Sequence, residues 1–346
     1  VKLITTQGDL AHALRTVAPA ISTSNSHPIL GSALITAADG AMTITGFNLE
    51  LGISVTIPAA VEAPGTVALP HRLLAGLVSR FEDGEVLTLS DGALSASGAS
   101  YGLAAMDADD YLAMPVVDAA GTELMLSAGV RACLPCCSTD VSKALLAGVH
   151  LAAGYMEATD GHRLMRVAVD LPDGLDVVLP ASTMRLLQDH AITIAHAAGQ
   201  AVITTDDGIT IYSRILDGKY PDVAKLIPDS FKHTITVDRH RFTRALERVA
   251  LIAEAHNSIV KLEARNCDLT ITAEADANNG REVLHHDGTA TGTWAFNVHY
   301  LLDGLKAMRG HEQVALSANA ATTPAVLTPT DEDALTYLVM PVQIRE

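Results

Sequence analysis

Ala158-Thr159-Asp160-Gly161-His162-Arg163-Leu164 lies near the middle of the 346-residue chain, between runs of apolar and β-prone residues. Asp-Gly favours a tight hairpin, because a type I′ turn needs positive φ at both central residues. The stretch therefore predicts a strand over Tyr155–Ala158, a turn, and a second strand over Arg163–Val169. Three polar side chains beside the turn, Thr159, His162 and Arg163, precede Leu164. They suit a surface with a task, and they equally suit an ordinary hairpin.

Outward from this hairpin, three blocks of about 115 residues share one layout. Each opens with a short β-like run and a helical pattern: Lys2–Thr6 before Asp9–Ala18, Glu123–Ser127 before Gly129–Ser138, His233–Val237 before Arg239–Glu254. Each has a second such step: Val67–Pro70 before His71–Arg80, Val177–Pro180 before Ala181–His190, Ala295–Asn297 before Tyr300–Arg309. Pro70 and Pro180 suit a helix start, where a missing N–H costs nothing. Asn297 can cap by accepting a backbone N–H. Further strands follow, at Val86–Leu89, Leu94–Ser97, Ala201–Thr205, Ile209–Ser213, Gln313–Ser317, Ala325–Thr328 and Tyr337–Pro341. Two helices per block on mostly antiparallel sheet is an α+β layout, read as three similar domains. Linker composition at Met114–Gly121 and Asp217–Asp229 places the domains at 1–118, 119–228 and 229–346.

Hydrophobic residues make up 49% of the chain and aromatics 4%, so the cores rest on Ala, Val, Leu and Ile. No apolar run reaches membrane-span length, and the first residues lack a signal peptide's apolar core. A cytoplasmic protein is expected. Cys133-x-x-Cys136-Cys137 has zinc-like spacing, but Cys267 stands alone, so no metal and no cofactor is expected. A nucleophile elbow, a P-loop and HExxH are all missing, which argues against an enzyme. The acidic runs Asp107–Asp110 and Asp331–Asp333 read as solvated loops.

The net charge of −17 argues, taken whole, against nucleic acid. Its distribution argues otherwise. The six predicted helices together carry +6, which leaves −23 on the rest of the chain. In Arg239–Glu254, Phe242, Ala245, Leu246, Val249, Ala250 and Ala253 form an apolar stripe. Arg241, Arg244 and Arg248 share a neighbouring face. Helices on one surface would make it positive and the opposite surface negative. That pattern suits sequence-independent phosphate contact, as sliding requires.

The hairpin wording also resembles the bacterial DNA polymerase III β subunit, the sliding-clamp family. Leu216-Asp217-Gly218-Lys219-Tyr220-Pro221-Asp222 with Ile227-Pro228, and Tyr337-Leu338-Val339-Met340-Pro341-Val342, resemble two further family segments in the right order. The resemblance spans the chain. It implies a non-catalytic processivity factor, a head-to-tail homodimeric ring of three-domain chains around duplex DNA, with helices inward and nucleoid-associated. The DNA-facing residues it implies are Arg15, Arg72, Arg80, Arg131, Lys143, Arg185, Arg241, Arg244, Arg248 and Lys306.

The resemblance further implies a groove for linear motifs of the polymerase α subunit, other polymerases, the clamp loader and repair proteins. Its matching positions are Leu146, Thr159, Gly161, His162, Arg163, Leu164, Pro221, Lys225, Leu226, Val339, Met340, Pro341 and Val342. Tyr101 and Leu103 match positions that pack against Leu251 and Ile252 of a second copy. There are departures. Lys225 stands where the family usually has Arg, Asn257 where an aromatic is frequent, and Gln343 where a basic residue is frequent; the sequence continues through Arg345 and Glu346. The loop Ser24-Asn25-Ser26-His27 lacks a basic residue, and Ala144 and Leu145 stand where aromatics often reach DNA. Weak DNA contact with topological retention is expected. The alternative is a diverged relative that binds partner peptides without productive DNA loading.

Overall fold

The computed structural model describes residues 1–23, 27–90, 92–188, 190–255, 257–288, 290–332 and 334–343. Ser24 to Ser26, Asp91 of the expected Ser90-Gly92 turn, Asp333, Arg345 and Glu346 lie outside the described residues. The predicted helices are present: α1 (Gln7–Val17), α2 (His71–Val78), α3 (Ser127–Cys133), α4 (Ala181–Leu187), α5 (Arg239–Ala253) and α6 (Val298–Ala307).

Local chemistry explains where they begin and stop. The hydroxyl of Thr6 accepts from Asp9 N at 3.2 Å and caps α1. Asp238 accepts from Arg241 N at 2.7 Å ahead of α5, and Asn297 from His299 N at 2.9 Å ahead of α6. Each such cap satisfies a donor that would otherwise lack a partner, for about 1 kcal/mol. Helix α3 is shorter than expected because Pro135 has no N–H to continue the ladder; a 3-10 turn, Leu134–Cys136, follows it. Phe242, Ala245, Leu246, Val249, Ala250 and Ala253 of α5 are all buried, as their spacing predicts. Among the described residues no helix is long and apolar enough to cross a membrane.

The chain forms two compact units. The first comprises Val1–Met125 with His190–Ile215, the second Leu126–Asp189 with Leu216–Glu346. Every strand pair is antiparallel. In the first unit, one sheet runs in the spatial order Ala60–Ala63, Lys2–Thr6, Val86–Ser90, Ala93–Ala96, Ala99–Gly102. Its eight-stranded companion joins Thr122–Met125 and three strands between 191 and 214 to four strands between 32 and 70; the joint is Thr210–Arg214 against Leu51–Pro58.

The second unit repeats this device. Four strands between 148 and 180 continue into four C-terminal ones, and the joint is Arg163–Ala168 against Leu335–Val339. The four-stranded sheet of this unit runs Asn278–His285, Asp268–Ala275, Ile259–Arg265, Gly292–Asn297. Ala275–Gly280, expected as a loop, is a tight hairpin whose second strand already begins at Asn278. Among the described residues, the outer edges of Ala99–Gly102 and Asn278–His285 pair with no other strand.

Candidate functional site

The hairpin is where expected, with Tyr155–Thr159 paired to Arg163–Ala168. Its turn differs from type I′. Gly161 has φ +92°, but Asp160 is not in the left-handed region. Thr159 pairs with Leu164, so four residues make the connection. The Asp160 carboxylate holds it, accepting from His162 N at 2.8 Å and Arg163 N at 3.1 Å. The Thr159 hydroxyl donates to Arg163 O at 2.6 Å and accepts from Gly161 N at 3.1 Å. Four polar bonds thus fix the turn, with His162 outward.

Arg163 is engaged within the chain itself. Its guanidinium donates to Asp160 Oδ2 at 3.0 Å, to Asp303 Oδ2 of α6 at 2.7 Å, and to Pro135 O. It also lies 4.4 Å from the centre of the Tyr300 ring. Three of its five N–H groups are engaged and the side chain is buried, so the arginine pins the turn to α6. His162 stacks on Tyr300 with ring centres 6.3 Å apart.

Strand alternation divides the remaining expected residues. Leu164 and Leu338 are cross-strand partners on one face, and Arg163 and Val339 on the other. The apolar floor comprises Leu164, Val178, Tyr220, Val223, Val326 and Leu338, with Leu145, Leu146, Leu216, Ile227 and Phe231 packed against it. Val339 is wholly buried on the helix side, so Leu338 takes the place expected for Val339. Next to it on that side, Tyr337 donates to Tyr300 O at 2.7 Å. Gly304 makes room, since a Cβ there would lie 2.6 Å from the Tyr337 ring.

Met340 and Leu226 stay exposed at the rim, at 38% and 55%. Pro221, Gly161 and Lys225 are exposed beside them, with Lys225 paired to Asp222 at 2.9 Å. Two bonds hold the last chain segment in place: Met340 N donates to His162 O and Val342 N to Ala295 O, each at 2.8 Å. Val342 faces away from the floor. With Asn257, Gln343 and Trp294 it lines a separate cleft of about 870 Å³. Pro341 is partly exposed between the two. The result is a buried apolar cluster with Met340 and Leu226 exposed beside it.

Beneath the floor lies a charge network that sequence reading missed. His150 is hydrogen bonded on both ring nitrogens, to Glu157 Oε1 and Asp176 Oδ1, each at 2.9 Å. Arg166 donates to the second Glu157 oxygen at 3.1 Å. The His150 ring stacks on Tyr220 at 4.6 Å, and the Tyr220 hydroxyl accepts from Thr159 N at 3.2 Å. Burial alone would lower the His150 pKa; the hydrogen bonds and charges of Glu157 and Asp176 outweigh it and raise the pKa. A histidine raised in the folded state stabilises fully below its unfolded value of about 6.5, and that contribution is lost as pH rises through the folded value. The thermal midpoint of the protein is therefore expected to fall more steeply between pH 6 and pH 9 than that of His150→Gln. Parallel midpoint curves from calorimetry would remove the histidine from this role.

The three clustered cysteines are buried. Burial pushes the Cys137 thiol up to about 12 and those of Cys133 and Cys136 above the ordinary range. Protonated thiols of this kind are poor nucleophiles and poor metal ligands.

All ten expected DNA-facing cations are exposed. Their partners differ. Arg248 grips Glu282 with two bonds, at 2.6 and 2.9 Å, and Arg244 pairs with Glu247 at 3.1 Å. Lys306 lies 3.6 Å from Asp303, and Arg131 donates to Gln188 O at 3.2 Å. Lys143 donates to Asp160 O at 3.1 Å, which places it at the hairpin turn and the groove rim. Arg15, Arg72, Arg80, Arg185 and Arg241 form no ion pair with described residues. Of the expected seam residues, Tyr101 and Leu251 are exposed, at 41% and 76%. Ile252 is half-buried, and Leu103 is 8% exposed and belongs to the core of its own unit.

Comparison with known proteins agrees with this geometry. Residues 1–115 match the DNA polymerase III beta subunit N-terminal domain, and residues 224–343 its C-terminal domain. The beta sliding clamp of Synechococcus elongatus is 34% identical, over 99% of this chain and all of the relative. That of Synechocystis is 32% identical over 99% of each. The crystal structure of the DNA polymerase III beta chain of Streptococcus pneumoniae superposes with TM-score 0.92 at 27% identity, covering 99% of this chain and all of that one.

Proposed function

The chain belongs to the DNA polymerase III beta subunit family, the beta sliding clamps, and from that membership we propose that two copies close into a ring that slides on duplex DNA. The ring is a non-catalytic tether in the cytoplasm at the nucleoid. The groove takes linear motifs of the replicative polymerase, other polymerases, the clamp loader and repair proteins. Each copy contributes three domains, at 1–118, 119–228 and 229–346.

The observation that carries the reading is the exposure of all ten cations around buried apolar helix faces, in a chain whose net charge is −17. Phosphate contact of that kind is sequence-blind and releases counterions. Arg15, Arg72, Arg80, Arg185 and Arg241, which form no ion pair with described residues, supply the stronger share. The half-neutralised Arg244 and Arg248 supply less. Weak contact is tolerable where a closed ring, not affinity, prevents loss.

The sheets support closure. Each unit joins four strands to four across one antiparallel pair, and among the described residues the edges Ala99–Gly102 and Asn278–His285 are unpaired. Exposed sheet edges are association sites unless covered. Pairing the first edge of one copy with the second edge of another would join that five-stranded sheet to the four-stranded one. Two such joints, related by a two-fold axis, close a ring.

Loading onto nicked circular DNA tests the function. With a clamp loader and ATP, the protein is expected to stay bound through gel filtration in high salt and to run off once the circle is cut. The triple variant Arg15→Glu, Arg72→Glu, Arg241→Glu is expected to load at least about tenfold less, three phosphate contacts being lost. Equal retention on circular and linear DNA, or on neither, would contradict the reading.

A further inference from the structure

We propose that Asp303 is a positioning residue that couples the groove to DNA, so that duplex DNA bound at α6 tightens peptide binding. The inference rests on the reading of the groove and of Lys306 given above. Asp303 is shared. Its Oδ2 accepts from Arg163 Nη1 at 2.7 Å, while its Oδ1 faces Lys306 Nζ at 3.6 Å. Lys306 is one turn further along α6 and half exposed, so it can exchange this carboxylate for a phosphate.

The other side of Asp303 leads into the groove without a gap. Arg163 binds Asp160, Asp160 holds the backbone N–H groups of His162 and Arg163, and His162 O accepts from Met340 N. Met340 and His162 are neighbouring exposed residues beside the floor. A carboxylate competed for by two cations holds each less firmly than it would hold one. When a phosphate withdraws Lys306, Asp303 is left to Arg163 alone, and the turn is held more tightly in its peptide-ready form. The exchanged ion pair is partly exposed, and such pairs are worth 0 to about 1 kcal/mol, which limits the effect to about fivefold. Coupling between the sites must be reciprocal, so bound peptide also strengthens DNA contact.

The test is a fluorescence anisotropy titration of a labelled motif peptide from a replicative polymerase, at low salt, with and without an excess of a 30-base-pair duplex (about 100 Å, enough to pass through the ring). The unaltered protein is expected to bind the peptide two- to fivefold more tightly with the duplex present. Lys306→Gln is expected to bind without DNA as tightly as the unaltered protein does with it, and to gain nothing further. Asp303→Asn is expected to bind more weakly and to show no response to the duplex. A duplex response that persists in Asp303→Asn, or Lys306→Gln at the weaker DNA-free affinity, overturns the coupling. So does an unaltered protein that binds the peptide equally well in both conditions. No peptide binding at all would overturn the groove reading itself, and the coupling with it.

Discussion

Leu251→Asp is expected to sediment at the 36.2 kDa of a single chain, where the unaltered protein runs at about twice that mass. Leu251 ends the apolar side of α5 yet is 76% exposed, so its own unit loses little when it is replaced. Val283 on the unpaired edge strand is likewise exposed. The proposed ring would set both residues against the Ala99–Gly102 strand of a second copy, around Tyr101. Burying one leucine contributes about 2 kcal/mol, and burying a carboxylate in its place costs more. Dimer affinity should therefore fall at least about a hundredfold at each seam, more than 2.7 kcal/mol. Analytical ultracentrifugation at micromolar concentration decides the matter. A variant that still runs as a dimer would move the seam elsewhere. Leu103 is unsuitable for the same experiment, because it is part of its own unit's core and its loss would mix folding with association.

Arg163→Ala is the second large effect. Removing this guanidinium leaves Pro135 O without its donor and takes one donor each from Asp160, which keeps the two backbone N–H groups of the turn, and from Asp303, which keeps Lys306; losses from broken, largely buried pairs reach about 3 kcal/mol. The turn residues His162 and Gly161 then lose their fixed position, and peptide affinity is expected to fall at least about a hundredfold. Arg163→Lys should recover little, because an ammonium cannot span three acceptors in one plane. Calorimetric titration with the peptide, beside a thermal melt, separates the two effects. Unchanged affinity in a folded Arg163→Ala protein would show that the turn needs no brace.

The elements that sequence reading placed well are those with strong local chemistry. The stripe of α5, the cap at Asn297, and the prolines ahead of α2 and α4 each name their own position. What it could not see were partners far along the chain. Arg248 has the spacing of a solvent-facing cation, but Glu282 is a strand away in three dimensions and 34 residues away in sequence. The bond of Arg163 to Asp303, 140 residues later, is likewise invisible to any local pattern.

Val339 is a different kind of miss. Period-two alternation from Met340 already puts Leu338 on the groove face and Val339 behind it, so the signal was available. Tyr300 and the His150 network gave none. Tyr300 reads as the start of an apolar helix face, and His150 reads as an interruption in an apolar run. Only the sheet brings His150 between Glu157 and Asp176. The type I′ expectation failed because Asp160 spends its carboxylate on two backbone donors, which a wider four-residue connection provides.

The strand Leu335–Val339 follows every other strand of its sheet in sequence, and the groove needs it for Leu338 and for the Met340 anchor on His162. A chain that ends at residue 334 lacks Leu338 and the Met340 bond to His162, so a prematurely terminated product is expected to bind no partner peptide.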